Sequence, residues 1–341
     1  MKKVSENDIA EALGLSRNTV SKALHGSTIV APQTRRKILN QAFEMGYTKL
    51  PRSVKAEMNE SVLAGARKIA VIAKREPSSF WNRILFGISD ISENTDYSFM
   101  MHFISREEEK KLILPKDIAC GNVQGIICLS VFSEEYIQKI AGTRIPAVFY
   151  DAPAKYSHGE IPADAVLVES YYSMYSLVSR LIREGRKSFA FLGNIRYCRT
   201  VCDRWRGFRD ALCDAGLQPE EDLCITGRDP LWYYRCSEME GCLQKLCGRA
   251  DAVVCASDDI AMEAIHFFSQ KGFAVPKDIQ VPGFDDKMNL LDRTSFGTVH
   301  VDNEYIGKRL FQMLLERIQC PQKNCESVFV STKVVFPKED S

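Results

Sequence analysis

The chain has 341 residues, 45% of them hydrophobic and 26% charged, and a formal net charge of +1. These are ordinary values for a soluble globular protein, and the length calls for two or three domains rather than one core. No run of about 18 apolar residues occurs, which excludes a membrane span by hydropathy.

The first residues, MKKVSENDIAEALG, carry two lysines and then turn polar where a signal peptide needs an apolar stretch, so no secretory address is expected. The twelve cysteines show no tight C-x-x-C spacing. They are expected to be reduced packing residues of a cytoplasmic protein, with no metal and no cofactor. Charge is uneven along the chain. Residues 1–55 hold ten Lys or Arg against four acids, an excess of six, which leaves the rest at −5. A small basic head on a mildly acidic body is the asymmetry of a polyanion-binding module joined to something else.

Three short helices are predicted in the head. Ser5 caps the first, with Asp8 three residues on and Ile9, Ala10 and Leu13 inward, and Gly14 permits the turn. Ser16 caps the second, which buries Val20, Ala23 and Leu24 and stops at Gly26. Pro32 opens the third, which buries Ile38, Leu39 and Ala42 and ends at Gly46. Residues 48–66 read as a polar linker with helical potential around Arg52 to Val62. Beyond it, apolar runs alternate with helical stretches such as Tyr171–Glu184 and Ile260–Lys271. The runs KIAVIA, SFMMHFI, VQGIICLS, PAVFYD, SFAFLGN, DAVVCAS and IQVPGF predict parallel sheets covered on both faces. About 275 residues exceed what one open sheet usually needs, so two α/β lobes are expected.

The second helix begins with four consecutive polar residues, Ser16, Arg17, Asn18 and Thr19. A helix-turn-helix presents the start of its second helix to base edges in the major groove. Arg17 can donate two bonds to guanine, Asn18 can pair with adenine, and Lys22 lies one turn further on the same face. Ser16, Thr19 and Ser21 suit phosphate contacts, which fix register without reading sequence. The competing reading of these residues is a well-capped, solvated helix in an unrelated bundle.

Residues Asp8-Ile9-Ala10, Ala12-x-Gly14-Leu15-Ser16, Thr19-Val20-Ser21, Leu24, Thr34-Arg35, Ile38 and Gly46-Tyr47 resemble the head of the lactose-repressor/galactose-repressor family of bacterial transcription regulators. The likeness extends through Arg204-x-x-Gly207-Phe208, Ala256-Ser257-Asp258, Val275-Pro276, Gly283-Phe284-Asp285-Asp286, Thr298-Val299 and Gly307. It implies an all-α three-helix head plus an α/β two-lobed, periplasmic-binding-protein-like body with parallel sheets. The implied limits are a DNA-binding domain over 1–47, a hinge over 48–66 and an effector-binding domain over 67–341. The first lobe is expected at about 67–164 plus 290–320, the second at about 165–289 plus 321–341.

By the same resemblance Arg204 and Asp285 contact the effector, and Phe80, Trp81 and Trp232, with Tyr233 and Tyr234 beside it, offer aromatic faces. Asp258 matches a family aspartate and also reads as a helix N-cap. The family linker differs: here Pro51 is displaced, and the residues leave open which of Val54 and Met58 would wedge into a minor groove. Glu169-Ser170 and Gln124 stand where the family usually has Asp-Asn and Asp.

The expected partners are a palindromic double-stranded operator, a small-molecule effector of carbohydrate type and a second copy of the chain. No catalytic residue is expected. The five histidines are scattered, and no G-x-S-x-G, P-loop or H-E-x-x-H run occurs. The rival reading, a cytosolic solute-binding or sugar-processing protein without a DNA role, leaves the basic head unexplained.

Overall fold

The computed structural model describes residues 4–25, 30–45, 47, 51, 54, 67–74, 79–155, 163–227, 236–287 and 296–336. The chain divides into a unit of residues 1–67 and a unit of residues 68–341.

The first unit holds helices α1 (Glu6–Leu13), α2 (Arg17–Leu24) and α3 (Pro32–Glu44). Ser5 and Asp8 close a reciprocal capping box at α1, and Gly14 ends it in the left-handed region at φ 63°. The Ser16 side chain accepts from the Thr19 amide at the start of α2. Ile9, Val20, Ala23, Leu24, Ile38 and Ala42 form a small dry core, which Tyr47 and Val54 complete. Val54 is therefore packed inside this unit rather than displayed as a wedge, while Met58 and the expected linker helix lie outside the described residues.

Among the described residues, the second unit contains three sheets. The largest orders its strands β10-β5-β4-β3-β1-β2 and comprises β1 (Arg67–Lys74), β2 (Tyr97–Ile104), β3 (Gly125–Cys128), β4 (Ala147–Tyr150), β5 (Asp164–Val168) and β10 (Ser327–Val330). β1 pairs β3, β3 pairs β4, β4 pairs β5 and β5 pairs β10, all in parallel. Ala70, Ile72, Ile126, Cys128, Phe149 and Leu167 pack on one face, and Ile69, Val71, Ile127, Val148 and Val166 on the other. Burial on both faces is why these strands read as continuous apolar runs rather than alternating ones. Helices α4 (Ser79–Ser92) and α12 (Asn303–Gln319) pack together against this sheet.

A second parallel sheet orders β7 (Cys224–Ile225), β6 (Phe189–Leu192) and β8 (Ala252–Cys255). It carries α8 (Tyr171–Arg183), α9 (Arg199–Asp214) and α11 (Asp258–Gln270). The run IQVPGF follows β8 but is not a full strand. Val253 N donates to Gln280 O and Cys255 N to Pro282 O, yet Pro282 has no N–H to continue the ladder. A short antiparallel pair, β9 (Thr298–His300) and β11 (Lys333–Val335), completes the body.

The chain passes between the lobes three times: from β5 through Glu169 and Ser170 into α8, from β9 through Val301 and Asp302 into α12, and from β10 through 331–332 into β11. Three parts of the expected lobe limits are corrected here: Ala165–Val168 belongs to the first lobe through β5, β9 pairs with β11 in the second lobe, and not all of 321–341 belongs to the second lobe. Ser327–Val330 pairs with Ala165–Val168 and is the edge strand of the first sheet. Among the described residues, no helix is long and apolar enough to cross a membrane.

Candidate functional site

Two surfaces carry the sequence-predicted residues, one in each unit. In the first unit, Ser16, Arg17, Asn18 and Lys22 are exposed, and Thr19 and Ser21 are half-buried. Val20, Ala23 and Leu24 point the other way into the core. The Ser16 hydroxyl lies 2.8 Å from the Thr19 hydroxyl, so these two short side chains brace the helix start. The longer side chains of Arg17 and Lys22 reach outward beyond them.

The second surface lies at the carboxyl ends of the strands of the two parallel sheets, where open α/β folds bind ligands. From the first lobe come Phe80 and Trp81, at the start of α4, and Tyr150 at the end of β4. Their rings meet edge to face or tilted, with centroids 5.0 Å (Phe80–Trp81), 5.8 Å (Phe80–Tyr150) and 5.4 Å (Trp81–Tyr150) apart. From the second lobe come Arg204 of α9 and the segment Gly283 to Lys287.

Arg204 and Asp285 are brought together. Arg204 Nη2 stands 3.5 Å from Asp285 Oδ1, and the guanidinium carbon lies 3.7 Å from the Phe284 ring centroid. Arg204 Nη1 donates to the Ala256 carbonyl. Arg204 Nε is buried with no hydrogen-bond partner, an orphan donor beside an otherwise paired group. Asp285 and Asp286 adopt positive φ, 110° and 49°. Such conformations cost about 1–3 kcal/mol each and cluster at ligand sites.

Asp258 has a different place from that expected of an N-cap. Ser257 caps α11, and Asp258 is its first residue. The fully buried Asp258 carboxylate accepts from the Lys287 amide at 2.7 Å and from the Thr298 hydroxyl at 2.6 Å. It thereby pins the segment that carries Asp285. Gly283 is needed there, because a Cβ would stand 2.2 Å from Asp258 Oδ1. Burial, and then the nearby Asp285, push the Asp258 carboxyl up to about 8. Burial also raises Asp285 to about 6, against the pull of Arg204 and Lys287.

Sequence reasoning missed Tyr150, Asp151 and Thr200. The buried Asp151, at φ 64°, follows β4. Its Oδ1 accepts from the Ala152 amide (2.7 Å) and from the Thr200 amide (3.2 Å). Its Oδ2 accepts from the Thr200 hydroxyl. Cys198, the residue before α9, supplies no side-chain cap of its own, so a carboxylate of the first lobe caps a helix of the second. Arg199 N also donates to Ala152 O at 2.8 Å. Burial raises the Asp151 carboxyl, opposed by its bonds from Thr200 and Cys198. A second bridge joins Phe132 to Tyr197, with centroids 5.0 Å apart. Lys74 Nζ lies 6.0 Å and 5.8 Å from those two rings and 3.1 Å from Glu109. The only advance signal was position: a Tyr-Asp pair at the carboxyl end of an apolar run.

The departures from the family pattern lie at opposite ends of the first sheet. Glu169 accepts from the Tyr172 and Ser173 amides and the Ser173 hydroxyl, closing the first turn of α8 at a crossover. Gln124 is exposed at the opposite, amino end of β3. Trp232, Tyr233 and Tyr234 lie outside the described residues. Among the described residues, no group of three or more His, Cys, Asp or Glu is arranged to hold a metal ion.

Residues 178–336 match the family of periplasmic binding protein-like domains. The chain is 27% identical over 288 residues to the HTH-type transcriptional regulator RegA of Clostridium saccharobutylicum, covering 83% of this chain and 82% of that protein. It is 26% identical over 322 residues to the HTH-type transcriptional repressor PurR of Vibrio cholerae serotype O1, covering 92% and 90%. Among solved structures, the lac repressor dimer bound to operator and the anti-inducer ONPF superposes with a TM-score of 0.70 at 20% identity, covering 99% of both chains. The CelR–cellobiose complex superposes with a TM-score of 0.68 at 20% identity, covering 98% of both.

Proposed function

Because the chain belongs to the lactose-repressor/galactose-repressor family of DNA-binding transcription regulators, we propose that it is a homodimeric repressor whose hold on a palindromic operator is set by a carbohydrate bound between its two lobes. One head buries too little DNA for tight specific binding, and two heads on paired half-sites combine their contacts. In each head Arg17 reads a guanine, Asn18 an adenine, and Lys22 reaches the same groove. Ser16, Thr19 and Ser21 set register on the phosphates.

The observation that carries the effector reading is the Arg204–Asp285 pair at 3.5 Å, stacked on Phe284 and holding an unused Nε donor. A fork of donors beside a carboxylate matches vicinal hydroxyls, which give and accept hydrogen bonds together. Phe80 and Trp81 supply the apolar face that a sugar ring covers. Asp258 serves the same site from behind by holding the Asp285 segment. Effector binding shifts the lobes through the Asp151–Thr200 and Phe132–Tyr197 bridges, with a coupling to DNA of about 1–3 kcal/mol.

The test uses the full chain. A thermal-shift screen of sugars and sugar derivatives identifies a binder, which is then added to a complex with a duplex selected from a random pool. Arg204→Ala and Asp285→Ala each lose the shift and the effector response while keeping operator binding. Unaltered ligand affinity in both variants removes these residues from the cleft. Weakened operator binding on adding the ligand identifies an inducer, and strengthened binding a corepressor.

A further inference from the structure

Glu6, the first residue of α1, has a largely covered side chain, 17% exposed, whose carboxylate faces three other groups. Arg17 Nε lies 3.7 Å from Glu6 Oε2. The Tyr47 hydroxyl donates to Glu6 Oε1 at 3.5 Å, and His25 Nδ1 stands 3.9 Å from the same oxygen. These partners are well separated in sequence. Arg17 opens α2, His25 closes it, and Tyr47 follows α3. Tyr47 is itself buried, with its amide bonded to Ala42 O at 2.8 Å, so it holds the carboxylate from the core side.

Arg17 is by contrast 71% exposed. A long side chain in that position samples many rotamers, and reading a base requires one of them. The contact is made at Nε, the inner nitrogen of the guanidinium. The two outer nitrogens of a guanidinium are the ones that present parallel donors to the O6 and N7 of guanine. We infer that Glu6 is a positioning residue for base recognition, holding Arg17 by its inner nitrogen so that the outer fork meets guanine end-on.

This rests on the assignment of Arg17 as a base reader. It also has an electrostatic counterpart. Glu6 puts a negative charge beside the start of α2 in a head whose net positive charge attracts phosphate, so it weakens sequence-independent binding. A residue with a purely structural part has the opposite signature, since its loss weakens binding to every duplex alike.

The experiment uses the full chain, an operator selected from a random pool, the same operator with its Arg17-dependent guanine replaced in both half-sites, and an unrelated duplex. That guanine is the position whose preference disappears in Arg17→Ala. Glu6→Gln lowers the preference for it roughly three- to tenfold, while affinity for the unrelated duplex is unchanged or higher. In the Arg17→Ala background the same change does not alter the preference further. Because the readout is a ratio of affinities for folded, DNA-binding protein, partial unfolding of a variant cancels. The inference is overturned if Glu6→Gln keeps the guanine preference that Arg17→Ala destroys, or if it weakens all three duplexes equally. Full retention of every base preference by Arg17→Ala overturns the base-reading role of Arg17 itself, and this inference with it.

Discussion

Asp258 and Asp285 are carboxylates held out of water, and their titration has a definite sign. Asp258 ionises at about 8 in the folded chain, against about 4 in an unfolded one. The folded state therefore binds this proton more tightly. The stabilisation is complete below about pH 4 and is lost as the pH climbs towards 8. Asn at this position keeps an acceptor for the Lys287 amide and pairs equally with the Thr298 hydroxyl. Asp258→Asn is expected to flatten the pH dependence of the thermal midpoint over that window and to raise the midpoint at pH 8. A midpoint that falls with pH as steeply as in the parent would place the proton elsewhere. At this scale Arg204 and Asp285 were legible because each sits at a fixed offset from a Gly-Phe pair. Asp151 was not, because its main partner, Thr200, is 49 residues away and belongs to another lobe.

Helices α4 and α12 approach until backbone nearly meets backbone, and a glycine on each side permits it. A Cβ at Gly307 would stand 2.0 Å from the Ile84 carbonyl oxygen, and one at Gly87 2.0 Å from that of Glu304. Neither obstacle can rotate away, so Gly307→Ala is expected to cost about 1–3 kcal/mol or more through forced separation of the pair. A lower urea midpoint at constant slope is the measurement. At the other end of α12, Arg317 forms two bonds to Asp164 of β5, at 2.8 and 2.7 Å, and caps carbonyls of the turn leading to β10. Asp164 is wholly buried. Arg317→Ala leaves that carboxylate only Lys323 at 3.8 Å and the Glu326 amide at 2.8 Å, and is expected to cost up to about 3–5 kcal/mol by the same assay. Strands and helices were largely readable from apolar runs and caps. IQVPGF has the composition of a strand but its Pro282 cannot donate to a ladder, and β5, β7, β9, β10 and β11 fall outside the predicted runs, most of them too short to stand out.

One carboxylate in an unusual place helps to join the lobes across the cleft. Asp151 accepts from the Thr200 amide and hydroxyl at the start of α9 from the opposite lobe, a contact favoured both by hydrogen bonding and by the helix dipole. Asp151→Ala is expected to raise hydrogen exchange selectively at the Arg199 and Thr200 amides, leaving the central strands of both sheets protected. It should also reduce the factor by which effector changes operator affinity. Exchange that rises uniformly through the body would point to global loosening instead. The two-lobed plan was legible from the length of the body, whereas the way the lobes share strands was not. Which sheet receives a given strand depends on pairing between segments more than 150 residues apart, as for Ser327–Val330 with Ala165–Val168.

That late strand bears on the order of assembly during synthesis. The first lobe gains its outer edge only after all of the second lobe but β11 has left the ribosome, so its nascent form displays β5 as an open rim able to pair with a neighbouring chain. A message cut short before codon 327 would yield a head free to seek DNA, joined to a sensor that can neither close nor respond.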